Sequence, residues 1–157
     1  MKYALCGYSE LEIPDEQNLV IYITNCQNHC VGCHTPYMNE DYGDFLSDYF
    51  IEIYEAYKEQ ITCVCFMGEG KNTEDNHQEF KKYCEIIHKD NKLTALYSGR
   101  NCEIEEWMKC FDFIKIGPYI EKCGPLTKNT TNQKLYKKNN DDYIDITSKF
   151  WKKEVLI

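Results

Sequence analysis

The run Leu19-Val20-Ile21-Tyr22-Ile23-Thr24 leads directly into Asn25-Cys26-Gln27-Asn28-His29-Cys30-Val31-Gly32-Cys33-His34. The first segment is apolar, β-branched and of strand length, which predicts a strand buried on both faces. The second carries three thiols spaced C-x3-C-x2-C at the strand's end. Thiolates are soft ligands that select zinc, copper(I) or iron–sulfur clusters. A structural zinc takes four protein ligands, whereas a four-iron, four-sulfur cubane held by Cys26, Cys30 and Cys33 leaves one iron open to a small molecule. Three readings stay open on spacing alone: a cluster with an open iron, a zinc completed by His34 or a distant cysteine, and unliganded thiols. Adjacent side chains of an extended segment point to opposite sides, which argues against Cys33 and His34 sharing one ion.

Outward from this segment, short apolar runs recur at Thr62–Met67, Leu93–Tyr97 and Phe113–Ile116. Between them lie helical periodicities. Leu46, Tyr49, Phe50, Ile53 and Tyr57 mark a first helix with Asp44 at its N-cap, Phe80, Tyr83, Cys84 and Ile87 a second, and Ile104, Trp107, Met108 and Phe111 a third. Strands alternating with helices predict parallel βα units with right-handed crossovers. Three helices are too few for an eight-unit barrel, so the expected fold is α/β, a partial, open barrel. Lys134–Lys137 and Tyr143–Thr147 flank Asn139-Asn140-Asp141-Asp142 and predict an antiparallel closing hairpin. Cys63 and Cys65 alternate on one strand and read as small buried hydrophobes, as does Cys84 on its helix.

The chain of 157 residues fits a single domain, residues 1–157. Its ten cysteines fall below the roughly 8–10% of a disulfide scaffold. Met1–Tyr8 is broken by Lys2, Cys6 and Gly7 and does not read as an export signal. No apolar run approaches the roughly 20 residues of a membrane span. The expectation is a cytoplasmic chain with reduced thiols and no membrane partner. A formal net charge of −8 disfavours nucleic acid, whose affinity comes from neutralised phosphates. Lys134, Lys137, Lys138, Lys149, Lys152 and Lys153 form a local basic exception. They read as a solvated face, or alternatively as a docking edge for an acidic protein or an electron donor.

The cysteine spacing, the preceding strand and the Cys33-His34-Thr35-Pro36 sequence resemble the radical S-adenosylmethionine superfamily. Further segments are similar to the branch of it that activates anaerobic ribonucleotide reductases: Phe66-Met67-Gly68-Glu69, Ala95-Leu96-Tyr97-Ser98-Gly99-Arg100, Phe113-Ile114-Lys115-Ile116-Gly117-Pro118-Tyr119-Ile120, and Gly124-Pro125-Leu126 followed by Thr130-Thr131-Asn132-Gln133-Lys134-Leu135-Tyr136. The resemblance spans about Leu19 to Tyr136. It implies a partial barrel and a 4Fe–4S cluster on Cys26, Cys30 and Cys33. It also implies S-adenosyl-L-methionine cleaved reductively to a 5′-deoxyadenosyl radical that takes a hydrogen atom from a backbone glycine. The implied partners are the large subunit of an anaerobic ribonucleoside-triphosphate reductase and a low-potential electron donor such as flavodoxin.

Gly32 and His34 map onto the loop that approaches adenine, and Gly68-Glu69 onto the strand-end motif receiving the methionyl ammonium. Ser98 reads as a ribose contact or a turn-stabilising serine. Asn132 and Gln133 read as contacts to a protein substrate's backbone or as part of the final hairpin. No side-chain base is required, because the radical itself takes the hydrogen. The chain departs from the common pattern at Gly32, where many superfamily members carry an aromatic residue. It departs again at Met67, in place of a first glycine, and at Pro14–Asn18, which lacks a glycine-containing turn. Activation of another glycyl-radical enzyme and a zinc-stabilised interaction module are the alternative functions.

Overall fold

The computed structural model describes residues 1–151. Lys152 and Lys153 of the basic cluster lie outside the described residues. The elements follow one another as β1 (Lys2–Ser9), β2 (Asn18–Ile23), β3 (Asp44–Phe45), α1 (Leu46–Tyr57), β4 (Cys63–Met67), α2 (Glu74–Lys89), β5 (Leu93–Tyr97), β6 (Phe113–Ile116), β7 (Lys134–Asn139) and β8 (Asp142–Asp145). All eight strands form one open sheet in the order β3-β1-β2-β4-β5-β6-β7-β8. The central four, β2, β4, β5 and β6, run parallel, and the flanking pairings are antiparallel. The fold is thus α/β with a mixed sheet, two α-helices and the expected C-terminal hairpin.

Register sorts the apolar runs onto two faces. Ile21, Phe66, Leu96, Ile114 and Tyr136 stand in one row across the sheet. This row packs against α1 and α2 through Phe50, Phe80, Tyr83, Cys84 and Ile87. The neighbouring row, Cys65, Ala95 and Phe113, points to the other face. There it joins Ile13, Cys63 and Leu135 in a second apolar cluster. Cys63, Cys65 and Cys84 are buried, as their alternation and periodicity predict. Runs buried on both faces are what parallel strands covered on each side require.

Four expectations need correction. The third helix is only a 3₁₀ turn, Glu106–Cys110, because the chain from Arg100 to Glu105 is spent on an extended connection pinned by ion pairs. It still buries Met108 and Phe111. Asp44 does not cap α1; it pairs with Tyr3 in β3, and Phe45 takes the N-cap position without a side-chain cap bond. The buried stripe of α1 is Leu46, Phe50 and Tyr54, while Tyr49 is exposed. The Tyr54 hydroxyl donates to Asp90 at 2.9 Å, which lets a polar-tipped ring occupy the core. Finally, β1 is an added strand where the sequence offered only a broken apolar segment. Of the basic residues, Lys134 pairs with Asp145 and Lys149 with Asp15 on the chain's own surface. Among the described residues, no helix is long and apolar enough to cross a membrane.

Candidate functional site

The next inward-facing row at the C-terminal ends of the parallel strands is Tyr22, Met67, Tyr97 and Lys115. All four line one cavity of about 430 Å³, within the range of small-molecule sites. Ligands gather at such strand ends in parallel α/β sheets because loops converge there. The walls come from three of those loops: Cys26, Cys33, His34 and Thr35 after β2, Gly68 after β4, and Tyr119, Pro125 and Leu126 after β6.

The cysteine loop is shaped by backbone. Asn25, His29 and Gly32 have φ of +65°, +47° and +75°, and its ends are held by Asn25 N–H to the Glu40 carbonyl and Cys26 N–H to the Met38 carbonyl. Gly99 at the end of β5 makes room for it: a Cβ there would lie 2.6 Å from Asn28 Nδ2. That amide in turn faces Cys26 Sγ at 3.7 Å. Thr35 N–H points at Cys33 Sγ, 3.4 Å away. Donors aimed at cysteine sulfurs are the surroundings that tune thiolate ligands. All three thiols are free and half-buried. Among the described residues, no three His, Cys, Asp or Glu side chains converge on a point as one metal ion requires.

Lys115 was not singled out by sequence, although a lysine inside the apolar run Phe113–Ile116 was a visible signal. It is 8% exposed. Its ammonium donates to the carbonyls of Gly117 at 2.9 Å and Ser98 at 3.3 Å, and lies 5.6 Å from the Tyr97 ring centre. Burial lowers its pKa to about 8, against the opposing pull of Cys30, Cys26, Cys33 and Glu69. A buried cation on a cavity floor is a ready partner for an anionic group.

The other sequence-derived residues divide. His34 lines the cavity, its ring 5.2 Å from that of Tyr119. Gly32 lies beside the cavity wall, where a Cβ would meet the Tyr119 ring at 3.3 Å. Gly68 and Gln133 line the cavity. Asn132 instead holds the Pro118 carbonyl at 2.9 Å. Glu69 is buried and does not line the cavity; Arg100 takes both its oxygens, Nε to Oε2 at 2.7 Å and Nη2 to Oε1 at 3.1 Å. Ser98 is fully buried and does not line the cavity; its hydroxyl accepts from Arg100 N–H. Gly124-Pro125-Leu126, prominent in the sequence, contributes Pro125 and Leu126 to the wall.

Comparison with protein-family models, curated proteins and solved structures found no match for this chain.

Proposed function

We propose that this chain is a radical S-adenosylmethionine activase that installs a glycyl radical in an anaerobic ribonucleoside-triphosphate reductase. One observation carries the reading: three free thiols of a single loop stand beside a strand-end cavity whose floor holds a buried ammonium. The donor set fits a 4Fe–4S cluster, since its ligands are thiols alone and N–H donors already face two of the sulfurs. Cys26, Cys30 and Cys33 hold it. When bound, the cluster supplies one electron that cleaves S-adenosyl-L-methionine to methionine and a 5′-deoxyadenosyl radical. The same reading takes the parallel strands as the wall of a partial barrel.

The chain's own residues then bind and orient. The Lys115 ammonium receives the methionyl carboxylate, and the backbone at Gly68 approaches the amino group. Glu69, occupied by Arg100, acts as a positioning residue for that strand-end turn. His34 and Tyr119 offer ring faces to a planar base. Leu11, Leu126 and Phe150 line the cavity with apolar surface that keeps water from the radical. The hydrogen donor is a glycine in a segment of the partner reductase's large subunit, and a low-potential donor such as flavodoxin supplies the electron.

Anaerobic reconstitution with iron and sulfide tests the reading. The expected product is brown, carries about four irons per chain, and cleaves S-adenosylmethionine under reduction. Colourless protein with stoichiometric zinc, or a cluster that forms without Cys26, Cys30 or Cys33, overturns it.

A further inference from the structure

The strand-end carboxylate expected to meet a ligand is closed off, since Glu69 does not line the cavity and Arg100 holds both its oxygens. The cavity has an acid of its own. Among the described residues, its lining holds one carboxylate, Glu12, and one ammonium, Lys115. Glu12 Oε2 is buried and has no hydrogen-bond partner among the described residues.

The connection from β1 to β2 holds Glu12 in place. Ile13 is wholly buried with Cys63, Cys65, Ala95, Phe113 and Leu135 on the inner face of the sheet, while Leu11, also in the cavity lining, is 83% exposed. Glu12 stands between an anchor and a rim. The Tyr97 hydroxyl donates to its carbonyl. Beyond it, Glu16 N–H closes a turn on the Ile13 carbonyl at 3.2 Å, and the Asn18 amide donates to the carbonyls of Ser9 and Glu16. These bonds fix a connection without glycine, at the stretch where the chain departs from the common pattern.

We infer that Glu12 accepts the methionyl ammonium of S-adenosylmethionine, so that the cavity reads an amino-acid zwitterion with Lys115 on the carboxylate and Glu12 on the amine. The inference rests on the proposed activity. A buried acceptor without a donor is unfavourable in the empty protein, and a carboxylate is satisfied most strongly by a cationic donor. Lys115 does not supply it. Two of its three hydrogens go to the carbonyls of Gly117 and Ser98, and the third is left for the ligand carboxylate.

Equilibrium titration of the anaerobically reconstituted wild type and Glu12→Gln tests this with three ligands. S-adenosylmethionine carries both cations. S-adenosylhomocysteine keeps the amine and lacks the sulfonium charge, and the desamino analogue of S-adenosylmethionine keeps the sulfonium and lacks the amine. Glu12→Gln should bind the two amines about 10- to 150-fold more weakly, the range of a lost charge-assisted hydrogen bond, and the desamino analogue as wild type does. A loss confined to the two sulfonium ligands would assign Glu12 to the sulfur and overturn the inference, as would unchanged affinity for all three. Failure of the activase reading is a different result, a wild type that binds no S-adenosylmethionine, and it removes this inference as well. Glutamine keeps the shape of the side chain, so ligand-free Glu12→Gln should melt at or above the wild-type temperature. A variant melting well below wild type would mark a structural role for Glu12 and overturn the assignment.

Discussion

Arg100 grips both oxygens of the buried Glu69 carboxylate through Nε and Nη2, and both oxygens of Glu105 through Nη1 and Nη2. One guanidinium thereby ties the turn after β4 to the connection leading into the 3₁₀ turn. Glu105 extends the network by accepting from Trp107 Nε1, and Trp107 stacks on His77 of α2 at 4.1 Å. A planar five-donor fork suits two carboxylates where a lysine would serve one.

Glu69→Gln should therefore act on stability before ligand affinity. Arg100→Met leaves Glu69 buried without its counter-charge; with the Glu69 side chain 5% exposed and Arg100 23% exposed, the loss should be about 3 kcal/mol, the low end for a broken buried pair. Adding Glu69→Gln to Arg100→Met should recover part of it. Denaturant melts of the four proteins give the coupling. An S-adenosylmethionine affinity that falls sharply in Glu69→Gln while stability holds would return that carboxylate to the ligand.

Lys115→Met keeps the length of the side chain and removes the charge. The variant should lose about 10- to 150-fold in S-adenosylmethionine affinity, the 1.5–3 kcal/mol of a charge-assisted bond. The decarboxylated analogue should bind wild type and variant alike. Because the folded pKa is depressed to about 8 from 10.5, the folded state gives up its proton first. Wild-type stability should gain from this group as pH rises from about 8 to 10.5, relative to Lys115→Met, which lacks that gain. Calorimetry of both proteins across that window measures the difference, and parallel profiles would place Lys115 in water.

Strand composition explains why so much of the sheet was legible. Val64, Phe66, Leu96 and Ile114 sit in runs that are apolar on both faces, and such runs have few other structures to adopt. The cysteine loop was legible because its chemistry is local. Lys115 was not, since its meaning arises only when register sets it beside Tyr97 and beneath the loop of Cys26–Cys33. The partner of Glu69 was hidden for the same reason: a strand-end carboxylate looks unpaired until the distant Arg100 folds onto it. β1 escaped notice because no residue in it is buried. Ile104, Trp107, Met108 and Phe111 have helical spacing, yet one 3₁₀ turn suffices to bury Met108 and Phe111.

Acid should loosen the Arg100 network. Hydrogen bonding to Arg100 holds the Glu105 carboxyl down to about 2 from 4.5. A depressed folded pKa stabilises above the unfolded value and loses that contribution as pH falls from about 4.5 to 2. Glu105→Gln should show a smaller loss of stability than wild type across this range. Circular dichroism melts in parallel decide it, and identical acid limbs would mean that the ion pair contributes nothing in solution.

The ten cysteines should separate by reactivity before any metal is added. Alkylation needs a thiolate and access. Burial pushes the Cys63 and Cys65 thiols far above their ordinary range, and neither has exposed surface. Cys26, Cys30 and Cys33 are only half-buried, so the reagent can reach them. Brief iodoacetamide treatment of the folded, reduced, metal-free protein should label the loop thiols and spare Cys63, Cys65 and Cys84, as read by peptide mass. Prior reconstitution with iron and sulfide should then protect Cys26, Cys30 and Cys33 together, while Cys123, on a different loop, keeps its rate. Labelling of Cys65 as fast as Cys26 would contradict the buried inner face, and uptake of a full cluster after all three loop thiols are alkylated would remove them from the ligand set.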